Sequence, residues 1–441
     1  MGKESKDSIH DRWTLNGSGK TILWEGWIIK QGGRIKNWKK RWMILVEGSI
    51  FYFANSSITD LKGYLPLCNS KVETATEMLV KGYETFNSFF KVVTATRTMV
   101  MSVESADARA ELLEHIGASI RVEDYRADCS RLGVTALASV LDMLRVHTVT
   151  KDATDSRELV LDPSTTLAQL HLVARQIVQS SVVSDLILDD IELGTNHCKL
   201  LADVLCASDS IKKLSLIGCS LEDDGMEQLG CGVLCSLGLR KLFLDHNNLT
   251  NRAARVLGDV LQADPCLVTL SAAHNKIGHD GAHIVTALGQ NSTLRQLDLS
   301  YNDIGDDGAI ALADALSCNA KVTHVEVSYT GMTEAGLAYL AGTLPLSSTL
   351  KVIGLAGAAI DEDSARILAD SVHYTQSLER IDISKASGLE NSAVMAGVGG
   401  CLVEGDITGL KLLKLRLRAE VRRRPARPLP GLPPTPTPRQ R

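Results

Sequence analysis

Between Trp24 and Trp42 the chain places six basic residues, Lys30, Arg34, Lys36, Lys39, Lys40 and Arg41, against one acid, Glu25. They flank the dipeptide Gly32-Gly33. Such a set is suited to holding a multiply charged anion. Glycines let backbone N–H groups approach a phosphate closely. An arginine offers a planar fork that matches phosphate oxygens, and a lysine offers a mobile point charge. The spacing says which of them act together. Alternate residues of an extended strand share a face, so Lys39 and Arg41 point one way and Lys40 the other. Lys30 closes the preceding strand and can reach the same side.

The elements that must position these residues are short strands. ILWEGWIIK and RWMILVEGSIFYF are aromatic and β-branched runs broken by QGGRIKNWKK. KGYLPL, SFFKVVTA and RTMVMSVE continue the pattern. SADARAELLEHIGASI then puts Ala108, Leu112, Leu113 and Ile116 on one helical face, with Ser105 as its cap. Residues 22–120 therefore predict a small β-barrel closed by a helix. The run EGWIIKQGGRIKNWKKRWMIL…IFYF resembles the first three strands of pleckstrin-homology (PH) domains, especially the cytohesin-type members, which bind 3-phosphorylated inositol lipids. The resemblance implies that Lys30, Lys39 and Arg41 form the lipid-headgroup motif. It implies that Arg34, Lys36, Tyr52 and Lys62 surround the headgroup. Leu112 stands where the family usually carries a tryptophan.

A second signal is an internal period. L-x-x-L-x-L, with aliphatic substitutions, begins at Val183, Ile211, Leu239, Leu267, Leu294, Val322, Leu350 and Leu378, a spacing of 27 or 28 residues. Eight residues into each unit stand Ile191, Cys219, Asn247, Asn275, Asn302, Thr330, Ala358 and Ala386. Asn or Cys there can hydrogen-bond the backbone as the chain leaves a strand. The second half of each unit is helical. The pattern resembles leucine-rich repeats of the ribonuclease-inhibitor type. The expected fold is thus multidomain: a PH-type β-barrel capped by a helix, then an α/β leucine-rich-repeat solenoid shaped as a horseshoe. The expected layout is a flexible N-terminus (1–21), the PH domain (22–120), a helical linker and solenoid cap (121–182), the repeats (183–410) and a basic proline-rich tail (411–441).

The concave side of such a horseshoe exposes strand residues. Phe243, Asp245, His246, His274, Asp298, Tyr301, His324, Glu326 and Tyr329 lie near its centre, and aromatics among carboxylates suit a protein partner. Charge separates the parts further. Residues 183–406 hold 30 acidic and 14 basic residues, whereas 411–441 hold 10 basic and 1 acidic. In the tail, Arg427, Pro430 and Pro433 fit R-x-x-P-x-x-P, a form read by polyproline-binding domains.

Several classes are excluded or disfavoured. No apolar run is long enough to span a bilayer. MGKESKDSIHDRW lacks the apolar stretch of a secretory signal, and Lys6 stands where myristoylation wants Ser or Thr. The ten cysteines lack zinc-ligand spacing and read as thiols of a reducing compartment. No P-loop, G-x-S-x-G or nucleophile–base pair is present. The sequence predicts a non-enzymatic adaptor with no cofactor or metal and no nucleic-acid partner. It would sit in the cytoplasm and be recruited peripherally to a membrane, the plasma membrane foremost. The alternatives are a regulator of a small GTPase, since the GTPase-activating protein for Ran uses this repeat type, and a cytoskeletal scaffold.

Overall fold

A computed structural model of the chain describes residues 21–32, 37–145, 158–180, 183–263 and 266–388. The chain divides into two compact units, Met1–Ser271 and Ala272–Arg441.

The first unit opens with seven antiparallel strands among its described residues: β1 (Ile22–Gln31), β2 (Trp38–Val46), β3 (Ser49–Phe53), β4 (Leu61–Pro66), β5 (Lys71–Thr74), β6 (Ser88–Val93) and β7 (Thr98–Val103). Their order is β4-β3-β2-β1-β7-β6-β5, with β1 at the centre. One face buries Ile28, Met43, Leu45, Ile50, Phe90 and Met101. Helix α1 (Ala106–Leu132) closes the open side. Ser105 caps it by accepting from Ala108 N at 3.1 Å. Leu112, Ile116 and Ile120 recur every four residues and bury against the strands. The helix runs well past residue 120, because nothing breaks the pattern before Gly133, which ends it with φ of 67°. Its extra turns bury Tyr125, whose hydroxyl accepts from Leu137 N at 3.2 Å. Burial pushes the Tyr125 phenol up to about 12.

Helix α2 (Ala138–Arg145) follows, and Arg145 donates to Glu47 of the β2–β3 turn at 2.7 Å. Within the segment expected to be a helical linker and solenoid cap, β8 (Glu158–Val160) pairs in parallel with β9 (Asp185–Ile187), and α3 (Leu167–Ser180) lies between them in sequence. The remaining elements of this unit are α4 (Thr195–Ala207), β10 (Lys213–Ser215), α5 (Glu222–Cys235), β11 (Lys241–Phe243), α6 (Asn251–Gln262) and β12 (Thr269–Ser271). Each strand pairs with the next in phase, Leu214 with Leu186 and Leu242, so equivalent repeat positions form rows. Asn247 is fully buried. Its Oδ1 accepts from Cys219 N at 3.0 Å and Leu221 N at 3.2 Å, while its Nδ2 donates to Leu216 O at 2.6 Å. One side chain thereby satisfies the backbone of the preceding turn, which explains its place in the period.

The second unit continues the pattern with α7 (Ala282–Leu288), β13 (Gln296–Asp298), α8 (Gly305–Cys318), β14 (His324–Glu326), α9 (Glu334–Thr343), β15 (Val352–Gly354), α10 (Glu362–Tyr374) and β16 (Arg380–Asp382). Strands β13 to β16 pair in parallel and in phase. Their central residues Leu297, Val325, Ile353 and Ile381 are buried. The last part of the expected repeat region, from 389 to 410, lies outside the described residues.

Candidate functional site

The first candidate is the mouth of the barrel. In the β1–β2 hairpin Lys30 faces Lys39 and Ile28 faces Arg41; in the next pair Met43 faces Tyr52. Lys30, Lys39, Arg41 and Tyr52 therefore share the face that, deeper in, forms the core through Ile28 and Met43. The Lys30 ammonium lies 4.2 Å from the centroid of the Tyr52 ring. That ring needs Gly63: φ there is 153°, and a Cβ would stand 2.3 Å from the Tyr52 hydroxyl. Arg41 donates from Nη1 to Lys40 O at 2.7 Å. Its Nε is buried and meets no hydrogen-bond acceptor among the described residues.

Positive charges gather at this mouth. Lys30 is partly buried, and burial pushes its pKa down; Arg97, Arg41 and Lys39, all positive, push it the same way. Arg97 is absent from the sequence-derived set. It sits in the turn between β6 and β7, where Thr94 Oγ1 accepts from its N–H at 3.1 Å, and its Nη2 donates to Tyr64 O at 2.6 Å. The signal available in the sequence was position: a basic residue in a tight turn next to β7, the strand that pairs with β1 at Lys30. Lys62 is exposed and bound to Asp60 at 2.6 Å, which offsets its charge. Lys40 lies on the opposite face, its Nζ 5.1 Å from the ring centroids of both Trp27 and Phe86. Arg34 and Lys36 lie outside the described residues.

The second candidate is the repeat surface. Phe243, Asp298, His324 and Glu326 lie on strands. Asp245, His246, His274, Tyr301 and Tyr329 do not: the repeat strands span only three residues, so these five fall in the turn that leaves each strand. His246, His274, Tyr301 and Tyr329 take φ of 57°, 53°, 56° and 55°. This left-handed geometry is uncommon for bulky side chains. It lets Tyr301 N donate to Ser328 O at 2.8 Å and Tyr329 N to Ala356 O at 2.7 Å.

In the second unit the rings stack. His274 and Tyr301 lie 4.0 Å apart, and Tyr301 and Tyr329 lie 4.6 Å apart. Gly357, at φ of 77°, leaves space for the Tyr329 ring, and Lys385 Nζ caps the row 5.7 Å from that ring's centroid. Lys385 was legible as the residue two repeats after Tyr329. Asp245 and Asp298 have local duties: Asp245 accepts from Ser271 Oγ at 2.5 Å and Asp298 from Ser300 N at 2.9 Å. Glu326 pairs in register with Asp298; burial first, then Asp298, raises its pKa. Burial, Arg380 and Lys351 lower that of His324. In the first unit Lys213 Nζ lies 5.6 Å over the Phe243 ring. The expected tail motif, Arg427, Pro430 and Pro433, lies outside the described residues.

Comparison with known proteins places these features. The PH domain family matches residues 22–121, and a leucine-rich repeat family matches residues 290–313. Cytohesin-4 of Mus musculus is 43% identical over 49 residues, which is 11% of this chain and 12% of that protein. Ribonuclease inhibitor of Sus scrofa is 26% identical over 228 residues, 44% of this chain and 49% of that protein. The chain thus spans about an eighth of the first relative and half of the second. The carboxyl-terminal PH domain of pleckstrin is 26% identical, with a TM-score of 0.19 over 22% of this chain and 94% of its own. Among the described residues, no helix is long and apolar enough to cross a membrane.

Proposed function

We propose that this chain, a PH domain followed by leucine-rich repeats, is a non-catalytic adaptor that binds a phosphoinositide at a membrane surface and holds a protein on its repeats. The single observation that carries the lipid half is Lys30. Its amine is drawn into the barrel mouth, where burial first and then Arg97, Arg41 and Lys39 disfavour its charge. A polyanion seated there would neutralise those like charges. The buried Nε of Arg41 offers that anion a donor. The set assigned to the headgroup is Lys30, Lys39, Arg41 and Tyr52, together with Arg34, Lys36 and Lys62 on the family resemblance alone.

The protein half rests on the ring row of the second unit. Tyr301 is 44% exposed although it is a large aromatic in a strained conformation, which favours a role at a contact. Peripheral recruitment to a membrane in the cytoplasm follows from the lipid half. Sedimentation of the full chain with phosphatidylcholine vesicles carrying either a phosphoinositide or phosphatidylserine tests the reading. Preferential binding to the phosphoinositide supports it; equal binding to both vesicles contradicts it.

A further inference from the structure

The loop between β5 and β6 exposes two adjacent large apolar side chains, Met78 at 45% and Leu79 at 87%. Single exposed aliphatics are ordinary. A pair held outward by a built loop is less so. The next residue, Val80, is buried with Ile29, Phe86 and Phe89, and Trp27, Trp38 and Tyr83 pack against this cluster. Tyr83 N donates to Val80 O at 2.9 Å, Phe86 N to Tyr83 O at 2.9 Å, and Gly82 N to Glu84 Oε1 at 2.8 Å. The loop is therefore anchored on both sides of Lys81, with Met78 and Leu79 outside the buried cluster.

The anchor ties the loop to the barrel mouth. Ile29 precedes Lys30 on β1, and Lys40, whose Nζ lies over Phe86 and Trp27, sits between Lys39 and Arg41 on β2. The β1–β2 hairpin thus carries the headgroup cations on one face and the base of the apolar loop on the other. A third exposed aliphatic, Leu61 at 52%, begins β4 opposite Phe53, next to the Tyr52–Gly63 pair of the mouth. Each apolar site has a lysine beside it, Lys62 after Leu61 and Lys81 two residues after Leu79. Apolar side chains next to cations are what an anionic bilayer accepts at its headgroup–acyl boundary. Glu77, Glu84 and Asp60 oppose the approach, though Glu84 is turned onto Gly82 N–H and Asp60 is paired with Lys62.

We infer that Met78 and Leu79 insert into the acyl boundary of an anionic bilayer while the adjacent mouth holds a headgroup. The inference rests on the lipid reading above and adds a second, apolar contact to it. The experiment compares wild type, the double variant Met78→Ser/Leu79→Ser, Leu79→Trp and Arg41→Ala as full-length proteins. Each is sedimented with phosphatidylcholine–phosphatidylserine vesicles containing a phosphoinositide, and titrated by calorimetry with the matching soluble inositol phosphate. The serine pair is expected to lose about tenfold in vesicle affinity, from the apolar area withdrawn from the bilayer. It should keep the soluble affinity of wild type. Leu79→Trp should hold vesicle binding, since indole suits the interface. Vesicle binding of the serine pair equal to wild type overturns the inference. So does a parallel loss of soluble affinity, which would make the loop part of the headgroup pocket. Unchanged soluble affinity in Arg41→Ala would sink the headgroup reading alone. Wild type that fails to sediment would overturn both.

Discussion

Lys30→Met separates binding from stability at one atom. Methionine keeps the length of the stem against Tyr52 and removes the charge. The loss is a cation–π contact at 4.2 Å, worth roughly 0.5–1 kcal/mol at a partly exposed site. The gain is relief from three like charges, Arg97, Arg41 and Lys39, together with a smaller desolvation penalty. Surface like-charge pairs cost roughly 0.2–0.5 kcal/mol each. Three of them together with the desolvation term match or exceed the contact. The unliganded variant should therefore be as stable as wild type, or up to about 1 kcal/mol more stable.

The sign with pH follows from the direction of the shift. The folded-state pKa of Lys30 lies below the unfolded one, so folding disfavours the charged amine. The penalty is complete below the folded value and fades as pH rises through it toward about 10.4, the ordinary lysine value. The advantage of Lys30→Met should shrink over the same window. The assay is built into the sequence: all five tryptophans, at positions 13, 24, 27, 38 and 42, lie in the first 42 residues. Urea unfolding of the full chain followed by tryptophan fluorescence reads the barrel region without cutting the protein. Saturating inositol phosphate, at about 100 times Kd, should add about 2.7 kcal/mol to wild type and little to the variant. An unliganded variant destabilised by about 2 kcal/mol or more would show that Lys30 is a structural cation and refute the reasoning.

Two further outcomes test the repeats. Asn247→Ala strands the N–H groups of Cys219 and Leu221 and the carbonyl of Leu216. Unmet buried groups cost roughly 1–3 kcal/mol each, so the far-ultraviolet thermal transition should fall clearly, and a shift within error would contradict the capping role. Glu326→Gln should raise the thermal midpoint at neutral pH, because burial and Asp298 lift the Glu326 pKa. The carboxylate's penalty grows as pH rises through that raised value and is absent below about 4.3, so the benefit should vanish in acid; a gain independent of pH would contradict it.

Much of this was legible before any coordinates. The alternation Lys39–Lys40–Arg41 fixed which two cations face the mouth, since strand periodicity leaves no other choice. Ser105 and the i, i+4 apolar positions gave the closing helix. The 27–28-residue period gave the repeats, and the buried Asn explained itself by its hydrogen bonds. What escaped depends on contacts distant in sequence. Arg97 joins the mouth only because β7 folds back onto β1, whereas the Lys62–Asp60 pair is local, two residues apart, and was set by side-chain placement rather than by the fold. On the repeat surface five of the nine residues lie off the strands for a local reason. Three-residue strands end sooner than the L-x-x-L-x-L pattern suggests, so His274, Tyr301 and Tyr329 sit on left-handed turns where their rings stack on one another. Met78 and Leu79 stand out only by their exposure, which the sequence does not reveal.

The central claim is a specific headgroup site at the barrel mouth, and the most direct measurement compares Arg41→Ala with Lys40→Ala. The two residues are neighbours of equal charge on opposite faces of β2, so any long-range attraction to a polyanion treats them alike. Charge-assisted contacts to phosphate are worth roughly 1.5–3 kcal/mol, about tenfold or more in affinity. Calorimetric titration of each full-length variant with a soluble inositol polyphosphate should show a loss of about tenfold or more for Arg41→Ala and little change for Lys40→Ala. Equal losses in the two variants would contradict the account.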